Sequence, residues 1–209
     1  MSDNGNPLLC PDDELSKILE LVGHDDDGGL KSIDDSLRRF ALDPRLHFLR
    51  GSLLAGLQRY DEGRTAMARA IEIHPDYALA RFQLGFLDFT SGRLVEAIGV
   101  WTLLFDLPDD EPLKLFAQGL INLSQDKFGE CKKLLEKGIS LNIANPVMNN
   151  DMQLILDEIV DLKDVQSEIE EQGARTESRT VVEEDQAVSA TSLLLKQFAV
   201  KRGDGETRH

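Results

Sequence analysis

Within Gly23-His-Asp-Asp-Asp-Gly-Gly-Leu-Lys-Ser-Ile-Asp34 the chain places Asp25, Asp27, Gly28, Leu30 and Asp34 at the spacing of a calcium loop. Such a loop needs oxygen ligands at alternating positions, a glycine for its turn and a bidentate carboxylate at its end. Here Gly23 occupies the first position and Asp34, one methylene shorter than glutamate, the last. An anchoring ligand is lost at each end, and the segment reads as an acidic surface loop. The four histidines, His24, His47, His74 and His209, have no ligand spacing, and none lies in an HExxH. His47 sits at a helix-packing position and reads as structural. GxSxG, Walker and Rossmann glycine patterns are absent. The carboxylates fall on polar faces, where solvation is their ordinary role. The expectation is a protein with no catalytic residue, no metal, no cofactor and no enzymatic activity.

Charge and cysteine usage narrow the partners. The 209 residues carry a formal net charge of −15, whereas binding nucleic acid requires a basic face and anionic membranes attract basic segments. No window holds 18 consecutive apolar residues, so no membrane span is expected. Cys10 and Cys131 are too few and too distant for a disulfide framework. With no basic n-region at the start, a cytoplasmic, reducing location is expected.

What remains is an aromatic pattern. In "ARFQLGFLDFTSGRLVEAIGVW", Phe82, Phe86 and Phe89 are four and three residues apart, so a helix gathers them on one stripe. The elements that must carry this stripe repeat every 34 residues. Phe48, Phe82 and Phe116 share that offset, as do Gly51, Gly85 and Gly119, and Met67, Trp101 and Leu135. Each copy reads as two helices: Arg45–Leu57 with Asp61–Ile73, Leu79–Thr90 with Leu94–Leu107, and Leu113–Ser124 with Phe128–Leu141. Thr90-Ser91-Gly92 and Ser124-Gln125-Asp126 mark turns within copies, while Pro75, Pro108 and Pro146 fall near their ends. A glycine inside a helix costs about 1 kcal/mol relative to alanine. Three at one period predict close approach of the second helix to the first.

This 34-residue helix pair resembles the tetratricopeptide repeat. The resemblance rests on Gly51, Gly85 and Gly119 at the eighth position, on Gly63, Ala97 and Cys131 at the twentieth, and on Ala70, Leu104 and Gly138 at the twenty-seventh. It covers about residues 44–143. The usual bulky residue of position four is replaced by His47, Arg81 and Leu115, and that of position eleven by Leu54, Asp88 and Asn122.

The resemblance implies an all-α, right-handed α-solenoid of about three repeats, 44–77, 78–111 and 112–143. In such a fold the leading helices line a concave face. It implies a partner-binding groove of Phe82, Phe86, Phe89, Phe116, Leu120 and Leu123, edged by Phe48 and Leu79, with the stripe open to an apolar peptide or helix. Members that clamp acidic chaperone tails use basic groups at positions five and nine. Phe48, Ser52, Phe82, Phe86, Phe116 and Leu120 stand there instead. The pattern is similar to members that hold apolar stretches of partner proteins. The expected function is a non-enzymatic adaptor or chaperone-like interaction module; the alternative is a structural subunit assembling into a larger complex or homo-oligomer.

The flanks complete the expected organisation. Residues 1–11 read as disordered. A capping helix pair occupies 12–43, with Leu15, Ile18, Leu19 and Val22 on one helix and Leu30, Ile33, Leu37 and Phe40 on the other. After the repeats, Asn145 is an N-cap and Pro146 a first-turn proline opening a capping helix over 145–172. Met148, Met152, Ile155, Ile159 and Leu162 form its apolar stripe. Residues 173–209 read as a flexible polar tail holding one apolar segment, Leu193–Val200, a candidate for self-association or for docking in the groove.

Overall fold

The computed structural model describes residues 9–173, with side chains to residue 160. The described residues contain nine α-helices and no strand: α1 (Asp12–Val22), α2 (Asp26–Arg39), α3 (Pro44–Gly56), α4 (Tyr60–Ile73), α5 (Ala78–Thr90), α6 (Leu94–Trp101), α7 (Pro112–Ser124), α8 (Phe128–Leu141) and α9 (Pro146–Gly173). They fall into two compact units. One comprises the residues up to Phe89 with Val95–Leu104, the other Thr90–Leu94 with the residues from Phe105 on.

Helix starts follow local chemistry. The Asp43 side chain accepts from the Arg45 amide at 2.9 Å and Pro44 occupies the first turn of α3, satisfying one orphan donor and supplying a preset φ. Asn145 does the same for α9, its Oδ1 accepting from Met148 N at 3.2 Å. Asn142 and Asn149 strengthen that junction: Asn149 Nδ2 donates to the Asn142 carbonyl at 2.9 Å, and Asn142 Nδ2 donates to Asn149 Oδ1 at 2.8 Å.

Helix ends repeat with the sequence period. Gln58, Gly92 and Asp126, each 34 residues apart, all have positive φ, at 60°, 78° and 56°. In the first and third copies the following amide donates back over five residues, Arg59 N to Leu54 O at 2.8 Å and Lys127 N to Asn122 O at 2.9 Å. This is a left-handed cap closing the helix on its orphan carbonyls.

Packing also follows the period. α3 lies on α4 and α7 on α8. A methyl group on Gly51 would stand 2.5 Å from Met67 Cγ and one on Gly119 2.7 Å from Leu135 Cδ2, while one on Gly85 would overlap the Trp101 indole. The three glycines therefore admit the three residues sixteen positions later, as their spacing predicts. Ahead of the repeats, Cys10, Ile18 and Ile33 share a core with Leu46 and Leu53 of α3.

Three expectations are corrected. Leu9–Pro11, expected to be disordered, are anchored: Cys10 is 2% exposed and its amide donates to Asp43 Oδ2 at 2.8 Å. The acidic loop at 23–34 is the start of α2, where Asp25 caps by accepting from Gly28 N at 3.0 Å. Carboxylates at a helix start are stabilised by its dipole; this explains their clustering without a cation. The helix expected to run unbroken from Leu94 to Leu107 changes at Thr102 to a 3₁₀ segment, Thr102–Asp106.

Candidate functional site

The aromatic stripe forms as predicted but is closed. Phe82, Phe86, Phe89, Phe116, Leu120 and Leu123 are all 2% exposed or less. Phe48 and Leu79, the expected edge, are half-buried. In the first unit the cover comes from the partner helix of the same pair. Trp101 of α6 stands over Gly85, stacks on Phe82 at 6.0 Å between centroids and meets Phe89 at 5.8 Å. Its indole N–H donates to the Phe82 carbonyl at 3.1 Å. Phe86 stacks on Phe82 at 6.0 Å. The opposite side of α5 is buried too, with Leu84 and Leu87 sharing a cluster with Met67 of α4. A helix apolar all round is a core helix, and α5 is one. In the second unit the Phe116 ring lies against Gly138 of α8, leaving no room there for a side chain. The expectation of an open wall is therefore corrected: these six side chains are core, held within their own helix pairs.

Asp88, at the departing position eleven, is fully buried and accepts from Arg64 Nε at 2.8 Å. An ion pair thus replaces aromatic packing there, linking α4 to α5. It is an interaction that periodicity does not reveal.

The first unit also presents an opening. A cleft of about 560 Å³ lies where the N-terminal segment, the start of α3 and the turn between α4 and α5 converge. Its apolar lining is Leu9, Leu42, Pro44 and Ile73; its polar lining is Arg45, His74, Asp76 and Tyr77. Leu42 is 45% exposed. Tyr77 forms one wall, its ring 5.3 Å from that of Phe48 and 6.0 Å from that of His74. Burial raises the Tyr77 phenol above its ordinary range, so it stays a neutral donor near pH 7.

Arg45 is already engaged. Its Nη2 donates to Asp43 Oδ2 at 2.9 Å and to the Cys10 carbonyl at 2.6 Å, and its Nη1 to Asp12 Oδ1 at 2.7 Å. Burial alone would raise the Asp43 carboxyl, but the hydrogen bonds from the Arg45 side chain and from the Cys10 and Arg45 amides hold it below its usual value. The guanidinium therefore builds the cleft; it does not serve as a spare cation for a ligand. Sequence reasoning missed Leu9, Leu42, Ile73 and Tyr77 because they lie outside the repeat's groove positions. The tyrosine beside Pro75 was the available signal.

Other candidates resolve simply. The Nε2 of His47 lies 2.9 Å from the Ala41 carbonyl, a structural contact. Cys10 and Cys131 are free and buried, and burial pushes the Cys131 thiol up to about 12. No cluster of metal-ligating side chains occurs among the described residues, and no helix among them is long and apolar enough to cross a membrane. Groove docking by Leu193–Val200 concerns residues outside those described.

No protein-family profile matches the sequence, and no curated protein matches it. Among solved structures, MamA 41-end from Desulfovibrio magneticus RS-1 is similar, at 13% identity and a TM-score of 0.52, over 83% of this chain and 99% of that one. MamA contains tetratricopeptide repeats, and likeness at this identity carries the fold alone. The chain has an all-α fold of tetratricopeptide-like helix pairs, the fold of a protein-interaction scaffold.

Proposed function

We propose that this chain is a non-enzymatic adaptor or chaperone-like module that holds an apolar peptide or helix of a partner protein in the Leu42–Tyr77 cleft. The observation carrying the reading is that cleft, an apolar floor with an aromatic wall formed by Tyr77 against Phe48. Its volume of about 560 Å³ suits one or two anchoring side chains, within the roughly 300–1,000 Å³ of ligand sites. Phe48 and Leu79 keep the edge role that the repeat assigns them. Phe82, Phe86, Phe89, Phe116, Leu120 and Leu123 serve as rigid backing. The partner segment is apolar with a flanking lysine or arginine, because Arg45 is engaged by Asp12 and Asp43 and Asp76 lies exposed on the rim.

Peptides selected on the immobilised protein from a random library test this. The consensus is expected to be apolar with a basic flank. Leu42→Asp, at an exposed position, is expected to weaken binding at least about tenfold without moving the unfolding midpoint. A consensus bound equally by Leu42→Asp would overturn the assignment of the cleft.

A second reading, a subunit of a larger assembly, is favoured by Val95 and Leu103, which are 81% and 50% exposed. A concentration-dependent mass abolished by Val95→Asp would support it; a monomer at every concentration would exclude it.

A further inference from the structure

α9 continues the repeat register beyond the third copy. Pro146, Val147 and Leu154 each lie 34 residues after Pro112, Leu113 and Leu120 of α7. The same positions have opposite environments. Leu120 is fully buried, whereas Leu154 is 40% and Val147 72% exposed. The two are seven residues apart and so share one face of α9, while Met148, Met152, Ile155 and Ile159 are buried. Ile143, just before the helix, is 89% exposed.

We infer that the chain's own segment Leu193–Val200 docks on α9 across Val147 and Leu154, supplying the cover that these register positions lack. Three observations choose this occupant. The first is reach. From Leu154 to the end of α9 at Gly173 is 19 residues, about 29 Å of helix, and 19 further residues separate Gly173 from Leu193. A flexible chain of that length spans about 25 Å on average, close to the distance needed. A tether matched to its span gives a near-maximal effective concentration.

The second is charge. α9 contains eight acidic residues and one lysine, whereas residues 193–209 contain four basic residues and two acidic ones. The third is area. Three partly exposed aliphatic side chains offer a few hundred Å² at most, far below the roughly 1,200 Å² that a stable complex of free partners buries. A tethered segment needs no such area, because it does not lose the freedom of a separate molecule. Leu194, Leu195 and Phe198, spaced by three and four, are its anchors. The inference concerns a different surface from the cleft and stands or falls independently of it.

The test uses the full chain with benzoylphenylalanine in place of Phe198, photolysed as an equal mixture of ¹⁴N- and ¹⁵N-labelled protein. Cross-links are expected within single chains, onto residues 142–160, and are expected to fall at least about fivefold in Val147→Asp, Leu154→Asp. Both substitutions are at exposed positions, and circular dichroism checks that the helices remain. Cross-links between chains, onto the Leu42–Tyr77 cleft, or undiminished by the double change would overturn the proposal. Hydrogen exchange gives a second reading free of the bulky label. Phe198→Asp is expected to speed exchange in the first three turns of α9 at least about threefold, and an unchanged rate would overturn the proposal equally.

Discussion

Phe82 was expected to meet a partner and instead meets Trp101, a change that alters what its removal does. Phe82 is fully buried, stacked on two rings, so Phe82→Ala is expected to cost about 3–5 kcal/mol in urea unfolding. A loss below about 1 kcal/mol would mean that the ring is not core. At Gly85, alanine brings a methyl into the indole; overpacking of about 1–3 kcal/mol is expected from the same measurement. The Asp43 carboxyl, held below its ordinary value by Arg45 and two amides, contributes stability that is full above the ordinary carboxylate range. That contribution is lost as pH falls through the lowered folded value. Urea midpoints between pH 6 and pH 3 are expected to fall more steeply in the wild type than in Asp43→Asn, and parallel curves would deny the carboxyl this role. Cys131, its thiol pushed up to about 12 by burial, is expected to ignore a thiol reagent at pH 8 until the protein unfolds.

The helices were legible because 34-residue periodicity, glycines, prolines and N-caps act locally. Phe128–Leu141 was located to the residue and most other boundaries to within one. The left-handed turn was legible only in part: Gly92 announces it, whereas Gln58 and Asp126, at the same offset, do not. Gln58→Gly is expected to stabilise by about 0.5–1 kcal/mol, since a side chain in that region costs about 1–2 kcal/mol and glycine returns part of the gain as backbone entropy. A destabilised Gln58→Gly in thermal unfolding would contradict the turn. The 3₁₀ segment at Thr102–Asp106 was not legible, because Thr102-Leu-Leu-Phe-Asp106 has no breaker and its geometry is set by packing. The closure of the stripe escaped for a similar reason. Periodicity says which residues share a face, but not how far Trp101 reaches across Gly85.

For the whole molecule, the aromatic residues that first suggested a groove are the frame, and binding is assigned to a cleft outside the repeat's usual positions. Trp101 is the one tryptophan of the chain, so its fluorescence reports directly on that division. The decisive measurement is acrylamide quenching of Trp101, without and with a saturating selected peptide. The account predicts blue-shifted emission, little quenching and no change on adding peptide. Red-shifted emission that acrylamide quenches freely until the peptide shields it would put the partner back on the Phe82–Phe89 stripe and contradict the account.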